Sequence, residues 1–181
     1  MILRLFHKLS MAIKRRYWKF LFKSETKNKE TALLLGYPLL INKKVKHGKN
    51  VCIYPDVTFF GDGEIEIGDN VNIGQGAIFY ASSGGGIFIG DNTMIAAQTY
   101  IIDADHGTKA GVLIREQNNS IEKVVIEDDC WIAAGAKVLK GTHLHDGCVV
   151  GAQSVIKGEF EENSIILGVP GKVVKKRSLR D

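Results

Sequence analysis

Apolar residues recur along most of the chain with a period of six, and a small or β-branched residue often follows four positions later. From Ile126 the pattern runs unbroken through the hexads IEDDCW, IAAGAK, VLKGTH, LHDGCV, VGAQSV and IKGEFE. A period of six is neither strand alternation nor the period of about 3.6 of an α-helix, and it is typical of a solenoid. The pattern therefore predicts an all-β parallel β-helix with three hexads per coil. A β-sandwich, the alternative, has strands spaced roughly 8 to 12 residues apart.

The hexads also predict which side chains face the interior. The first residue of each hexad points inward, and the fifth is small because it shares the same crowded space. In the unbroken run the fifth residues are Cys130, Ala136, Thr142, Cys148, Ser154 and Phe160, so five of the six are small. Cys130 and Cys148 lie one coil apart and are expected to stack as reduced thiols. Polar pairs such as Asp69-Asn70 and Asp91-Asn92 suit the corners between faces.

Two interruptions divide the repeat. Four extra residues lie within 82–86, and a loop of nineteen residues occupies 107–125. Because a solenoid buries its core regularly, insertions loop outward, where function tends to concentrate. The predicted organisation is a basic helix at 1–24, a connector at 25–39, the β-helix at 40–169 and a basic tail at 170–181.

Composition narrows the range of partners. At 181 residues and 45% hydrophobic, the chain fits one domain with a substantial core. The net charge of +4 is dispersed outside the N-terminus, so nucleic acid is not expected and an anionic small molecule is a sufficient partner. No apolar run reaches the roughly 18 residues of a membrane span, and no signal peptide is recognised, which predicts a cytoplasmic protein.

The N-terminal segment differs in character from the rest of the chain. Residues 1–23 contain seven lysines and arginines and no acid. Their apolar residues follow a helical stripe: Ile2, Leu5, Phe6, Leu9, Ile13, Tyr17, Phe20 and Leu21. Such a helix suits peripheral contact with an anionic membrane on its inner face, or packing against the prism or a neighbouring subunit.

One histidine stands where the longer loop departs. The sequence IIDADHG places His106 at the end of a hexad, at a corner of the prism. Histidine suits proton transfer because imidazole titrates near physiological pH. On the residues alone, His106 is either a catalytic group or an ordinary surface histidine.

A family resemblance favours catalysis. The order DADHG, long loop, DDCWIAAGAKV and NSIILGVPGKVVKK resembles the hexapeptide acyltransferases of the maltose and galactoside O-acetyltransferase type, over roughly residues 40 to 177. Within that group the chain is most similar to the O-acetyltransferases of bacterial surface-polysaccharide biosynthesis. The resemblance implies a left-handed β-helix, a homotrimer, and acetyl-CoA in the groove between neighbouring prisms.

The resemblance also implies roles for single residues. His106 would be the general base that takes the proton of a sugar hydroxyl. The acids close enough to hold its second ring nitrogen are Asp103, Asp105 and Glu127, and the sequence does not choose among them. The acceptor or cofactor arm is expected near Ser82 and Trp131. Coenzyme A is expected at Ala134, Ala152, Lys157 and Lys172.

The sequence thus predicts an acetyl-CoA-dependent O-acetyltransferase acting on a saccharide in surface-polysaccharide biosynthesis. An N-acetyltransferase acting on a nucleotide-linked amino sugar would use the same histidine and groove. A non-catalytic hexapeptide scaffold would need neither His106 nor Trp131. A metal-dependent carbonic anhydrase built on the same prism needs three converging histidines. The only close pair, His143 and His145, is unlike that arrangement, so no metal is expected.

Overall fold

The structure, a computed structural model, describes residues 9–14, 16–20, 23, 32–34, 38–40, 42 and 44–178. These residues are helical at 9–14, 16–20 and 23, and the others include 22 short strands and one 3-10 helix, Ile114–Glu116. The first eleven strands are β1 Leu33–Leu34, β2 Leu39–Leu40, β3 Val45–His47, β4 Cys52–Ile53, β5 Thr58–Gly61, β6 Ile65–Ile67, β7 Asn72–Ile73, β8 Ile78–Ala81, β9 Ile87–Ile89, β10 Met94–Ile95 and β11 Tyr100–Ile102. The others are β12 Ala104–Asp105, β13 Ser120–Ile121, β14 Val124–Ile126, β15 Trp131–Ile132, β16 Lys137–Val138, β17 His143–Leu144, β18 Val149–Val150, β19 Val155–Ile156, β20 Glu159–Phe160, β21 Ser164–Gly168 and β22 Gly171–Lys176.

Three sheets form the faces of the solenoid. Sheet A contains β1, β4, β7, β10, β15, β18, β21 and β22; sheet B contains β2, β5, β8, β11, β16 and β19; sheet C contains β3, β6, β9, β14, β17 and β20. The chain visits A, B and C in turn, so each strand pairs in parallel with its equivalent one coil later. Among the described residues, antiparallel pairing occurs only between β12 and β13 and between β21 and β22. The prediction of a parallel β-helix is confirmed.

Aspartates form a column along the turns from sheet C to sheet A, which are called the C/A corner here. The sequence spacing between hydrogen-bonded residues of this column gives the length of each coil. Lys49 N donates to Asp69 Oδ1, Asp69 N to Asp91 Oδ1, Asp91 N to Asp128 Oδ1 and Asp128 N to Asp146 Oδ1. The paired residues are 20, 22, 37 and 18 positions apart. Relative to the 18-residue coil, three coils therefore carry two, four and nineteen extra residues. The interrupted repeat predicts the four and the nineteen, but not the two.

The corner residues next to this column adopt the left-handed conformation. Asn50, Asn70 and Asn92 have φ of 53°, 58° and 57°, a region that asparagine tolerates better than most residues. Their amides also stack, since Asn50 Nδ2 donates to Asn70 Oδ1 and Asn70 Nδ2 to Asn92 Oδ1. The corner placement of the predicted polar pairs is confirmed.

The interior follows the predicted phase of the hexads. The first residues of the unbroken run are all buried, and they are Ile126, Ile132, Val138, Leu144, Val150 and Ile156. The six fifth residues are buried as well. The two polar side chains among them are hydrogen-bonded: Thr142 Oγ1 donates to Leu139 O at 2.6 Å within its own turn, and Ser154 Oγ accepts from Gly168 N at 2.9 Å. Cys130 and Cys148 are buried free thiols, and burial raises the pKa of Cys130 to about 12.

The boundaries of the solenoid differ from the predicted ones at three places. Strand pairing begins at β1 rather than near residue 40, because Leu33 and Leu34 pair with Cys52 and Ile53. The long insertion spans 103–123 rather than 107–125, since Val124 and Val125 complete β14. The predicted basic tail contains β22, which pairs with β21.

The N-terminal helix turns its apolar stripe away from the prism. Residues 9–14, 16–20 and 23 are helical, whereas Ile2, Leu5, Phe6 and Leu21 lie outside the described residues. Leu9, Ile13, Tyr17 and Phe20 are 58%, 62%, 59% and 70% exposed. Trp18, on the other side, packs against the core. Within the described part of the chain, no helix has the length and apolar character to span a membrane.

We predict that Ala136→Leu destabilises the fold. Ala136 is completely buried at a fifth position, so a larger side chain overpacks the interior at a cost of about 1–3 kcal/mol. Urea denaturation should show this loss in the free energy of unfolding. The matched change Ala110→Leu, on the exposed surface of the long insertion, should alter it by less than about 0.5 kcal/mol. Equal transition midpoints for the two variants would contradict the assigned interior.

Candidate active site

Both insertions leave the solenoid at the same corner. The short insertion, residues 82–86, connects β8 of sheet B to β9 of sheet C, and the long insertion, residues 103–123, connects β11 to β14. The turns from sheet B to sheet C are called the B/C corner here. In the next two coils this corner contains Lys140, between β16 and β17, and Lys157, between β19 and β20. The irregular part of the molecule is therefore concentrated along one edge.

Asp103 joins the two insertions. Its carboxylate is fully buried and accepts hydrogen bonds from Ser82 N at 2.9 Å and from Gly86 N at 2.7 Å. Its backbone oxygen accepts a hydrogen bond from Glu122 N, at the end of the long insertion. Gly85 has to be glycine, because a Cβ there would lie 2.3 Å from Asp103 Oδ2. The carboxylate thus organises the short insertion and does not contact His106.

The base of the long insertion is held on both sides. β12 and β13 form an antiparallel pair in which Asp105 is opposite Ser120. Lys140, 6% exposed, donates to Ser120 Oγ, and its Nζ lies 3.6 Å from Asp105 Oδ2 and 3.3 Å from Glu122 Oε1. Lys157 Nζ is 3.5 Å from the same Asp105 oxygen. A buried ammonium with two carboxylate partners therefore locks the outgoing and returning arms together.

The outer part of the long insertion is organised by one amide. Gln117 Oε1 accepts a hydrogen bond from Lys109 N, and its Nε2 donates to Lys109 O and Val112 O. The 3-10 turn Ile114–Glu116 directly precedes this glutamine. The nineteen extra residues consequently have a defined conformation of their own, although their sequence shows no repeat.

His106 follows β12 directly and projects from this clamped base. Its side chain is exposed and forms no hydrogen bond with any residue that the structure describes. It lines a cavity of about 1080 Å³ together with Thr108, Gln117, Asn118 and Lys140. Both ring nitrogens are therefore available to a bound molecule, while the backbone that carries the ring is fixed.

Glu127, the third acid predicted near His106, lies at the C/A corner instead. Its Oε1 is 2.6 Å from His143 Nε2 and 3.1 Å from His145 Nδ1. The hydrogen bond to His143 is the main reason why the pKa of Glu127 is lowered. The pKa of His145 is raised, chiefly by its hydrogen bond to Glu159. None of the three predicted acids holds the ring of His106 in this structure.

Comparison with known proteins identifies the family to which this chain belongs. The family model "Bacterial transferase hexapeptide (six repeats)" matches residues 123–158, and "Hexapeptide repeat of succinyl-transferase" matches residues 64–102. A dTDP-4-amino-4,6-dideoxy-D-glucose acyltransferase of Escherichia coli is 30% identical over 157 residues, which cover 72% of this chain and 81% of that protein. The chain belongs to the hexapeptide-repeat acyltransferase family.

Other members of the family to which this chain is similar are named for different acyl-transfer reactions. An Escherichia coli K12 protein named as a lipopolysaccharide biosynthesis O-acetyl transferase is 35% identical over 125 residues, which cover 65% of this chain. The match spans 63% of that relative, which is less than two thirds of its length. The crystal structure of AntD, an N-acyltransferase from Bacillus cereus in complex with dTDP and 3-hydroxybutyryl-CoA, shares the fold with a TM-score of 0.73 at 21% identity, covering 87% of each chain.

The remaining predicted site residues lie away from the B/C corner. Trp131 is 46% exposed on the outer face of sheet A, in register with Met94 and Val149. Ala134 and Ala152 are exposed, one coil apart, in the turns from sheet A to sheet B, the A/B corner. Lys172 is exposed on β22. The predicted site residues that one chain places at the B/C corner are Ser82, Asp103, Asp105, His106 and Lys157. Those that it places elsewhere are Glu127, Trp131, Ala134, Ala152 and Lys172.

Sequence reasoning missed two residues that shape the candidate site. Lys140 and Gln117 hold the long insertion at its base and in its outer part. A signal for Lys140 was present, because a lysine in the corner directly after an insertion faces whatever acids the insertion carries. Gln117 had no signal, since its partners are backbone groups of a loop without periodicity.

We predict that Asp103→Asn loosens both insertions. The amide would turn a donor toward backbone N–H groups, and losing hydrogen bonds to a buried charged acceptor lowers the free energy of unfolding by about 2 kcal/mol. Hydrogen exchange at the amides of Ser82 and Gly86 should accelerate as well. The matched control is Asp62→Asn, an exposed aspartate that accepts a hydrogen bond from Ser83 N of the same insertion. Equal, small effects of both variants would rule out a special role for Asp103.

Proposed function

We propose that the protein transfers an acetyl group from acetyl-CoA to a hydroxyl of a saccharide used in surface-polysaccharide biosynthesis, with His106 as the general base. The observation that carries the proposal is the position of His106. Its ring is exposed beside a cavity of about 1080 Å³, and its backbone is fixed by the clamp of Asp103 and Lys140. A base on a rigid support reaches its substrate without a costly rearrangement.

The reaction needs one base and a stabilised oxyanion. A ring nitrogen of His106 accepts the proton of the saccharide hydroxyl as the hydroxyl oxygen attacks the thioester carbonyl carbon. The tetrahedral intermediate collapses with formation of the ester C–O bond and cleavage of the C–S bond. The imidazolium then returns the proton to the leaving thiolate, which departs as coenzyme A. Backbone N–H groups stabilise the oxyanion, and no acyl-enzyme is formed.

Coenzyme A is proposed to extend from the B/C corner toward the small residues of the A/B corner. Ala134 and Ala152 are exposed and leave backbone groups accessible to a pantetheine arm. Lys157, 3.5 Å from Asp105 and next to the cavity, and Lys172 on β22 are available to phosphates. The B. cereus structure with 3-hydroxybutyryl-CoA supports a coenzyme A thioester as the donor.

We propose that the active unit is a homotrimer. In one chain His106 and the two alanines occupy different corners, so a groove that uses both requires a second prism. The outer face of sheet A supports association, because Met94 and Trp131 are 49% and 46% exposed in adjacent strands. Burying such an apolar row against another copy is favourable. A second copy would also bring Trp131 toward the acceptor or the cofactor arm.

N-acylation of a nucleotide-linked amino sugar is the second candidate function. The relative covered over 81% of its length is named an acyltransferase of dTDP-4-amino-4,6-dideoxy-D-glucose, and its acceptor carries an amine. The same histidine would accept a proton from the attacking amine. The two candidates therefore share every residue discussed above and differ in the acceptor atom.

We further propose that the N-terminal helix binds an anionic membrane surface, which holds the protein near lipid-linked acceptors. Its apolar stripe faces away from the prism, so packing within the same chain does not account for Leu9, Ile13, Tyr17 and Phe20. Residues 1–23 carry seven basic residues and no acid, which complements anionic lipid.

Replacement of His106 by alanine should abolish most of the activity. With acetyl-CoA and a panel of hexoses, N-acetylhexosamines and nucleotide-linked amino sugars, loss of a general base is expected to lower kcat about 1000-fold, with little change in KM for acetyl-CoA. Release of free thiol measures the rate. Treatment of the product with hydroxylamine separates the candidates, because it cleaves the O-ester and leaves the amide intact.

Two controls sharpen this experiment. Lys123→Ala changes an exposed residue of the same insertion outside the cavity and should retain wild-type kcat. Trp131→Ala should be impaired, and co-assembly of His106→Ala with Trp131→Ala chains should restore part of the activity if one groove combines residues of two prisms. Unchanged turnover in His106→Ala would refute the proposed base, and no restoration would argue against the shared groove.

Replacement of the apolar stripe by polar residues should release the protein from membranes. Wild-type protein is expected to sediment with phosphatidylserine-containing vesicles, less so in high salt, and weakly with phosphatidylcholine alone. Replacing Leu9, Ile13, Tyr17 and Phe20 by serine should weaken sedimentation at least about tenfold, because the buried apolar area is lost. Unchanged sedimentation would overturn the proposal. A change in oligomer mass instead would assign the stripe to a subunit contact.

A further inference from the structure

His143 and His145 point the same way from sheet C. They flank the fully buried Leu144, and alternate residues of a strand project from the same face. Their ring centroids are 4.1 Å apart. Both side chains are about one third exposed, so the pair lies at the surface and open to solvent.

Glu127 completes a three-residue cluster from the preceding coil. Val125 pairs with His143 and Ile126 with Leu144, which brings the next residue, Glu127, alongside His145. The carboxylate faces one nitrogen of each ring, His143 Nε2 at 2.6 Å and His145 Nδ1 at 3.1 Å. One donor atom from each of the three residues lies within 4.8 Å of the others. Tetrahedral zinc ligands are separated by about 3.3 Å, so a small opening of the cluster would admit the ion.

A fourth residue, Glu159, lies at hydrogen-bond distance from the outer ring nitrogen of His145. Glu159 Oε1 is 2.8 Å from Nε2 of His145, the ring nitrogen that does not face Glu127. Histidines that bind metals usually donate their second N–H to a carboxylate, which fixes the tautomer and orients the ring. His145 can therefore donate its Nε2–H to Glu159 while its Nδ1, which lies beside Glu127, binds the ion.

The surrounding charge favours a cation. An adjoining cavity of about 330 Å³ is lined by Glu127, His145, Asp146, Glu161, Glu162 and Lys176. Lys176 is paired with Glu161 at 2.8 Å, which leaves the other carboxylates to set the local field. Negative potential at the mouth of a ligand cluster raises the local concentration of cations.

We propose that Glu127, His143 and His145 bind a Zn²⁺ ion, with Glu159 supporting His145 from outside the ligand set. Two imidazole nitrogens and one carboxylate oxygen form a ligand set typical of zinc, and the fourth position would hold water. The ion would link β14 and β17, which belong to adjacent coils, at the C/A corner. His106 lies at the B/C corner, so the ion would lie apart from the acyl transfer proposed above.

Titration of the metal-depleted full-length protein with zinc chloride alone tests the proposal. Calorimetry should show one ion per chain, and the ion should raise the Tm by selective binding to the folded state. His143→Ala and Glu127→Gln should weaken binding at least about 100-fold, and Glu159→Gln about 10- to 100-fold. Co²⁺ bound in place of Zn²⁺ should give the strong visible absorption of a four-coordinate site.

The control is His106→Ala, which removes another exposed histidine and should bind zinc as the wild type does. Glu127→Gln preserves the shape of the side chain, so it provides a test even if His143→Ala folds poorly. Absence of stoichiometric binding to the wild type would overturn the proposal. So would wild-type affinity in both ligand variants, or an equal loss in His106→Ala.

Discussion

Backbone hydrogen bonds between successive coils determine the rest of this structure. Each strand pairs in parallel with its equivalent one coil later, so residues of equivalent position form continuous columns. The corner aspartates show how strictly the register is kept, because the same backbone-to-carboxylate contact recurs across coils of 20, 22, 37 and 18 residues. The interior columns share one narrow space, and this is why small residues recur at the fifth position of the hexads.

A fixed register also dictates where extra residues are accommodated. They cannot enter a strand without displacing every column, so they leave at a corner, and here both insertions leave at the B/C corner. Asp103 is the residue that makes the two insertions one unit, through its carboxylate on the short insertion and its backbone oxygen on the long one. The exposed His106 is therefore an outgrowth of the rigid core and not part of an independent loop. This combination of fixed backbone and free side chain is what acid–base chemistry requires.

The repeat was sufficient to predict the parallel β-helix, the inward residues, the corner polar pairs and the lengths of both insertions, because all of these follow from a period of six. It could not predict which acid faces which partner. Asp103, Asp105 and Glu127 are close to His106 in sequence or coil register, yet small differences of position turn them toward Ser82, toward Lys140 and toward His143. The early start of the solenoid at β1 was also missed, because a two-residue strand contains too little of a hexad to be recognised. Trp131, Ala134 and Ala152 remain predictions whose proximity to His106 requires a second subunit.

The unequal coils have a consequence for how such a protein changes over time. The register of the three sheets does not depend on the number of residues between Ile102 and Val124. The strands on either side of this insertion pair with the neighbouring coils in the same register as elsewhere. The length and sequence of the long insertion can therefore diverge while the scaffold stays constant. The insertion is therefore an exchangeable module, and the parts that would have to be transferred together are residues 103–123, the glycine-rich turn that Asp103 holds, and Lys140.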